Sequence, residues 1–476
     1  MDFSNPNFSP PSTGRDVIFF EGLLPFLMKT SLLFKLSLTA ALTVAFLALL
    51  INYIRTRRIP DEFVYVDGYV APGFEPIMDV FRENFAKNWE RDGAAFAVYH
   101  KGKLVVDIWG GYADLASERL WSRDTMSIAF SSTKAIGAVC IALLVDRGHL
   151  DYSTKIVDFW PKFGKHGKSA ITVDMVMIHT AGLAHLDETI TYADALNPDR
   201  MAEIIENQVP HWTPGEKTGY HAVAYGWIVD QIVRRTDPKG RSIGRFFREE
   251  IAVPFDIDFH IGLPLELSHR VARLSKTTHW QRFDEILHNP SSVNFTHIIR
   301  DIATGGFLYK MGQNPKWMQS VFKMTMNNPD LYVLEQPAAL GIGTARAMAK
   351  VFDLVLAGKI LSPELVKRIS IPKRCEYDIV TGVTLPRGHG LTFGTETRRN
   401  ETFTLVGHAG LGGQNVRFDV ENTLSFGYLS NGLKNGFGNS VRTYLPLKKV
   451  LYDIISDLRQ TQQQSEQSAD NNNKVD

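Results

Sequence analysis

From Ala135 to Val145 the chain offers a helix with no polar face, and Ser131-Ser132-Thr133-Lys134 stands at its entrance. A helix apolar all round has to be buried. Lys134 therefore enters the interior in the first turn, which is costly unless its ammonium has partners or a task. Three-residue spacing puts Ser131 Oγ and Lys134 Nζ on one helix face. A serine hydroxyl is a weak nucleophile until a neighbouring base activates it, and this arrangement suits such activation. The same four-residue pattern recurs at Ser320-Val321-Phe322-Lys323 and at Ser370-Ile371-Pro372-Lys373. The first reads as an ordinary amphipathic stretch and the second meets a proline, so only Ser131 leads into a long buried helix.

With 476 residues, 44% of them hydrophobic, the chain can build one large core or two joined subdomains. A net charge of +1 and the lack of long basic runs argue against a nucleic-acid partner. Cys140 and Cys375 are the only cysteines, too few for a disulfide framework, and Cys140 falls within the apolar helix. His-Glu-x-x-His is absent, no metallohydrolase-type ligand set stands out, and no Gly-x-Gly-x-x-Gly turn follows a strand. No metal and no organic cofactor are expected. Gly240-Arg241-Ser242-Ile243-Gly244 matches a nucleophile elbow in letters, but a helix end and turn precede it where a buried strand is required. Ser242 reads instead as a helix cap.

Residues 36–54 are apolar apart from Ser37, Thr39, Thr43, Asn52 and Tyr53, and nineteen residues at ~1.5 Å each reach about 28 Å. That length predicts a transmembrane helix, a lipid bilayer as partner and a single-pass membrane location. The basic flanks, Lys29 and Lys35 before and Arg55, Arg57 and Arg58 after, leave organelle and topology open. Residues 1–35 read as a flexible amino-terminal segment, 60–458 as one hydrolase domain, and 459–476 as a disordered polar tail.

Within the domain, Ala94–Tyr99 and Leu104–Ile108 read as strands joined by a hairpin at Lys101-Gly102. Phe403–Val406, Val416–Val420 and Leu424–Leu429 read as three more, paired antiparallel because their connections are short. A closing helix carries Leu447, Val450, Leu451, Ile454, Ile455 and Leu458 on one stripe. The stretch 125–360 is rich in helix. The expected fold is α/β of the α+β kind, a central antiparallel sheet from both chain ends flanked by helices, with a mostly helical subdomain inserted between.

Three ordered motifs then stand out: Ser131-Ser132-Thr133-Lys134; Tyr220-His221-Ala222 after Pro214-Gly215 and before Gly226-Trp227; and Gly407-His408-Ala409-Gly410 ahead of Gly412-Gly413. Together they resemble the motifs of the serine β-lactamase and penicillin-binding-protein superfamily. The nearest pattern is its class C-like branch of esterases, D-aminopeptidase-type enzymes and animal β-lactamase domain-containing (LACTB-type) proteins. The resemblance spans about 70–430 and includes Thr172–Leu183 with its His179-Thr180-Ala181-Gly182 turn. It implies a β-lactamase/transpeptidase-like fold, Ser131 as acylated nucleophile, Lys134 as its buried partner and Tyr220 as the group that moves the serine proton. It further implies that the N–H groups of Ser131 and Leu411 hold the oxyanion, with His408 and Gly410 beside the substrate.

Two departures redirect the substrate. The superfamily's third motif usually begins with lysine, as Lys-Thr-Gly, whereas this chain has His408-Ala409-Gly410; the second often ends in asparagine, where Ala222 stands. A β-lactam carboxylate thereby loses its fixed partner. The expectation is a serine hydrolase, a carboxylesterase or an amidase/peptidase, acting on a small ester or amide through an acyl-Ser131 intermediate. The other reading is a catalytically silent scaffold or filament-forming protein, since relatives in that branch are associated with self-association; no residue pattern here identifies an assembly surface.

Overall fold

The computed structural model describes residues 32–56, 65–289, 294–319, 323–436 and 438–472. The chain separates into two units, residues 1–62 and 63–476. In the first, the helix Leu32–Thr56 is described, and most of the expected segment 1–35 lies outside the described residues. Among the described residues no helix is long and apolar enough to cross a membrane. This overturns the transmembrane helix expected over 36–54 and the single-pass membrane location. The helix Leu32–Thr56 that carries this run is interrupted by Lys35, Ser37, Thr39, Thr43, Asn52, Tyr53 and Arg55.

The second unit is built on strands β1 (Val66–Val70), β2 (Gly93–His100), β3 (Lys103–Asp114), β4 (Arg119–Leu120), β5 (Ser127–Ile128), β6 (Phe259–Ile261) and β7 (Gly341–Gly343). They are followed by β8 (Arg374–Tyr377), β9 (Thr384–Gly388), β10 (Leu391–Arg398), β11 (Glu401–Ala409), β12 (Asn415–Asp419) and β13 (Leu424–Ser430). Ten strands form one antiparallel sheet in the order β1-β3-β2-β13-β12-β11-β10-β9-β8, with β4 added to β3. β5, β7 and β6 form a small second sheet. Lys101 and Gly102 at the β2–β3 turn both take positive φ, 51° and 78°, as a tight hairpin of this hand requires. The two ends of the chain meet where Phe96 of β2 faces Tyr428 of β13.

Each face of the sheet is covered. On one, the helix Tyr444–Asn472 buries Leu447, Leu451, Tyr452 and Ile455 beside Phe81 and Ile77 of Glu75–Ala86. This helix runs on through 459–472, which composition alone reads as a polar tail. Arg459 anchors the extension with an ion pair to Glu421 at 2.8 Å. On the opposite face, Ala345–Leu356 crosses the sheet and stacks Phe352 on Phe418 at 5.0 Å. Gly427 allows that approach, because a Cβ there would lie 2.5 Å from Ala345 O. Next in this layer comes the helix Thr133–Asp146, buried from Thr133 to Leu144 in the largest apolar cluster. The helical region between the chain ends thus delivers the entrance of that helix to the edge of β11.

Candidate active site

The turn Phe130–Ser132 leads straight into the helix Thr133–Asp146. Its neighbours are pinned on two sides. Ser132 Oγ donates to His408 O of β11 at 3.1 Å, while Thr133 Oγ1 donates to Phe130 O at 2.6 Å and accepts from Gly341 N of β7 at 3.0 Å. Phe130 is held at φ 45°, a left-handed conformation that a side chain of this size rarely adopts. Among these buried residues Ser131 alone stays half-buried.

Tyr220 meets it there: the phenol donates to Ser131 Oγ at 2.8 Å. Lys134 is fully buried, and its Nζ donates to two backbone carbonyls, Ala222 O at 2.7 Å and Ala338 O at 2.9 Å. It lies 4.8 Å from the centroid of the Tyr220 ring. Burial holds the lysine well below its usual pKa and pushes the Tyr220 phenol up to about 12, with the Ser131 hydrogen bond opposing the latter rise. Both shifts disfavour the charged forms. In its neutral form the amine has two N–H bonds, matched by these two carbonyls, and a lone pair that can accept a proton. Ala222, which offers no side-chain amide, acts here through its carbonyl.

Gly410 ends β11 against the serine turn, where a Cβ would sit 2.5 Å from Ala129 O and 3.2 Å from Ser132 N. Its own N–H is used by Gln414 O at 2.7 Å, and Leu411 follows, half-buried. Ser131 N–H lies in the first turn, where helix geometry supplies no acceptor. His408 is buried, its Nδ1 donates to Ala409 O at 2.7 Å, and its ring centroid is 6.2 Å from that of Tyr220. Burial and then the nearby Lys134 hold this imidazole well below its usual pKa, so it does not supply the positive charge of the missing lysine. Its Nε2 is buried without a protein partner, an acceptor aimed at nothing in the chain.

The structure also brings His179 to the site, together with two groups that motif reading did not single out. Arg387 of β9 and Asp378 form a buried ion pair at 2.8 Å, and the guanidinium lies 5.9 Å from the Tyr220 ring. Asp378 Oδ1 accepts from Val380 N and Thr381 N, while Ile379 N donates to Thr218 O, tying this loop to the tyrosine segment. His179, at φ 65°, accepts from His221 N at 3.2 Å and packs edge-on to Tyr220 at 4.8 Å. The signal for His179 was its place in the His179-Thr180-Ala181-Gly182 turn; Arg387 and Asp378 carry no local signature, because only the fold places β9 beside residue 220. Of the rival tetrapeptides, Ser370 caps the end of the helix Pro363–Ile369, and Ser320 lies outside the described residues. Ser242 caps the helix Ile243–Phe247. Among the described residues one grouping could hold a metal ion, His185, Asp187 and His211.

A large antiparallel sheet with a helical region inserted beside it, and a serine at their junction, is the β-lactamase-like arrangement of the serine hydrolases. The family described as Beta-lactamase matches residues 81–449, and the chain belongs to that family. It is 32% identical over 391 residues to an esterase/beta-lactamase, LipL, of Mycobacterium tuberculosis, covering 79% of this chain and 85% of that protein. Among solved structures it is similar to a family VIII carboxylesterase, with a TM-score of 0.71 and 28% identity over 82% of this chain and 99% of the other. A penicillin-binding-protein homologue from Caulobacter crescentus superposes with a TM-score of 0.67 at 28% identity, over 82% of this chain and 99% of that one.

Proposed function

We propose that the protein hydrolyses small esters, and amides of similar size, through an acyl-Ser131 intermediate. The observation that carries this reading is the 2.8 Å hydrogen bond between Tyr220 and Ser131 beside a buried, desolvated Lys134. Ser131 Oγ attacks the carbonyl carbon and gives its proton to Tyr220 Oη as the phenol proton passes to Lys134 Nζ. The carbonyl π electrons move onto oxygen, where the N–H groups of Ser131 and Leu411 receive the developing charge; one such donor is typically worth about 3 kcal/mol. When the tetrahedral intermediate collapses, the relay returns a proton to the departing alcohol or amine. Water then attacks the acyl-enzyme along the same route.

Tyr220 packs against an apolar cluster of Ala184, Trp212, Val380, Phe307 and Met311, which holds its ring in place. At the third motif His408 stands where a lysine would pair with a carboxylate, and burial disfavours a charge on its imidazole. This supports the ester reading of the similar proteins over β-lactam turnover. No specific observation favours a silent scaffold, since Tyr220 donates to Ser131, Lys134 lies against the Tyr220 ring and Ala222 needs no side chain for its part.

The test is labelling by a fluorophosphonate probe together with turnover of p-nitrophenyl acetate and butyrate and of a chromogenic cephalosporin. Wild type is expected to label and to prefer the esters, and Ser131→Ala to do neither. Labelling that survives in Ser131→Ala removes the assignment.

A further inference from the structure

Behind the tyrosine segment, His185, Asp187 and His211 converge so that one ligand atom from each lies within 4.8 Å of the other two. We propose that these three side chains bind a divalent transition-metal ion, for which Zn²⁺ is the best match, as a clamp between the two segments that carry His179 and Tyr220. His185 Nδ1 sits 3.2 Å from Asp187 Oδ1, and the two imidazoles face each other with centroids 3.9 Å apart. His185 is buried and its Nε2 has no protein partner. His211 Nε2 rests 3.1 Å from His185 O. Two nitrogens and a carboxylate oxygen are a borderline donor set suited to zinc, whose tetrahedral bonds of ~2.0–2.1 Å space ligands about 3.4 Å apart.

The surroundings are those of a built site. Asp187 N donates to Gln208 Oε1 at 2.7 Å, and Gln208 Nε2 donates to Asp187 Oδ2 at 2.7 Å and to Val209 O at 2.8 Å. Gln208, itself buried, therefore fixes the carboxylate by one oxygen and leaves the other turned to the histidine. A hydrogen-bonded outer partner of this kind is what orients a ligating carboxylate. Phe307 packs against both imidazoles, at 6.2 Å and 5.7 Å.

The place in the fold gives the clamp its consequence. The ligand-bearing segments are laced together by His211 N to Gly182 O at 2.8 Å, Gly215 N to Thr180 O at 2.8 Å and Gly219 N to His179 O at 3.0 Å. An ion at the far end of this ladder joins the same two strands of chain covalently through its ligands and stiffens the segment that presents Tyr220. Three protein ligands leave a fourth position for water.

Tag-free full-length protein, stripped with chelator, is titrated with ZnCl₂ by calorimetry and with Co²⁺ by visible absorption. The expected result is one ion per chain, Co²⁺ d–d bands of low coordination number, and a higher unfolding temperature with zinc. His211→Gln and Asp187→Asn should each weaken binding by at least about tenfold, while Cys375→Ser, which removes the exposed thiol, leaves it intact. Asp187 is exposed on the surface, and circular dichroism of Asp187→Asn checks that the variant is folded. Absence of saturable binding overturns the proposal, and so does binding that ignores Asp187→Asn and His211→Gln or disappears with Cys375→Ser.

Discussion

Replacing Lys134 by methionine separates two effects that the buried amine combines. In the unfolded chain this lysine titrates near 10.4; in the folded protein desolvation holds it well below that value. Between the two values the unfolded chain binds one proton more, so this group makes folding more favourable as pH rises. Its contribution is complete above the unfolded pKa and is lost as pH falls toward the folded one. The slope is at most about 1.4 kcal/mol per pH unit for a single proton. Lys134→Met removes that slope and also leaves Ala222 O and Ala338 O without the amine, a cost of about 1–3 kcal/mol for each carbonyl that no other donor satisfies. That cost does not vary with pH. Urea unfolding followed by tryptophan fluorescence at pH 7, 8, 9 and 10 should show wild type gaining on the variant by up to about 1.4 kcal/mol per unit. Ester turnover by the variant should fall about 10²–10⁴-fold at every pH. A stability difference that stays flat from pH 7 to 10 refutes the neutral buried amine and the relay built on it.

Tyr220→Phe deletes the phenol but keeps the ring, and kcat/KM for p-nitrophenyl butyrate should fall about 10²–10⁴-fold with an unfolding temperature close to wild type. Retention of more than a tenth of the activity in the folded variant rejects Tyr220 as the proton carrier. Gly410→Ala forces a Cβ to 2.5 Å from Ala129 O; stability should drop by about 1–3 kcal/mol and acylation should slow, measured by urea titration and stopped-flow probe labelling. Arg387→Met strands the fully buried Asp378 carboxylate, at a cost of about 3–5 kcal/mol, whereas Arg387→Met with Asp378→Leu should recover most of that stability in the same unfolding assay.

Much of the central sheet could be read from the sequence because local signals agree there: Lys101-Gly102 marks the β2–β3 turn, and the closely spaced strands β11, β12 and β13 can pair only antiparallel. β1 and β8–β10 were missed. β1, β8 and β9 are short, and β8 carries Glu376 and Arg374 where an alternating strand would carry apolar residues, so no period announces it. The helix after Tyr220 begins at Ala224, two residues later than its apolar pattern suggests, because Val223 and Ala222 turn their carbonyls to Gln336 and Lys134. Ser131, Lys134 and Tyr220 were legible as types in order. The partners that hold them, Arg387 with Asp378 and Ala338 O, come from distant stretches with no motif of their own.

The middle of the large sheet joins residues 94–100 to residues 424–430, first strands to last. A ribosome-bound chain in which β13 is still within the exit tunnel has neither the central hairpin partner nor, a few residues earlier, the glycine edge on which the serine turn rests. The sheet is therefore complete only once β13 has been made, and a truncation anywhere before β13 removes the strand that joins β2 to β12.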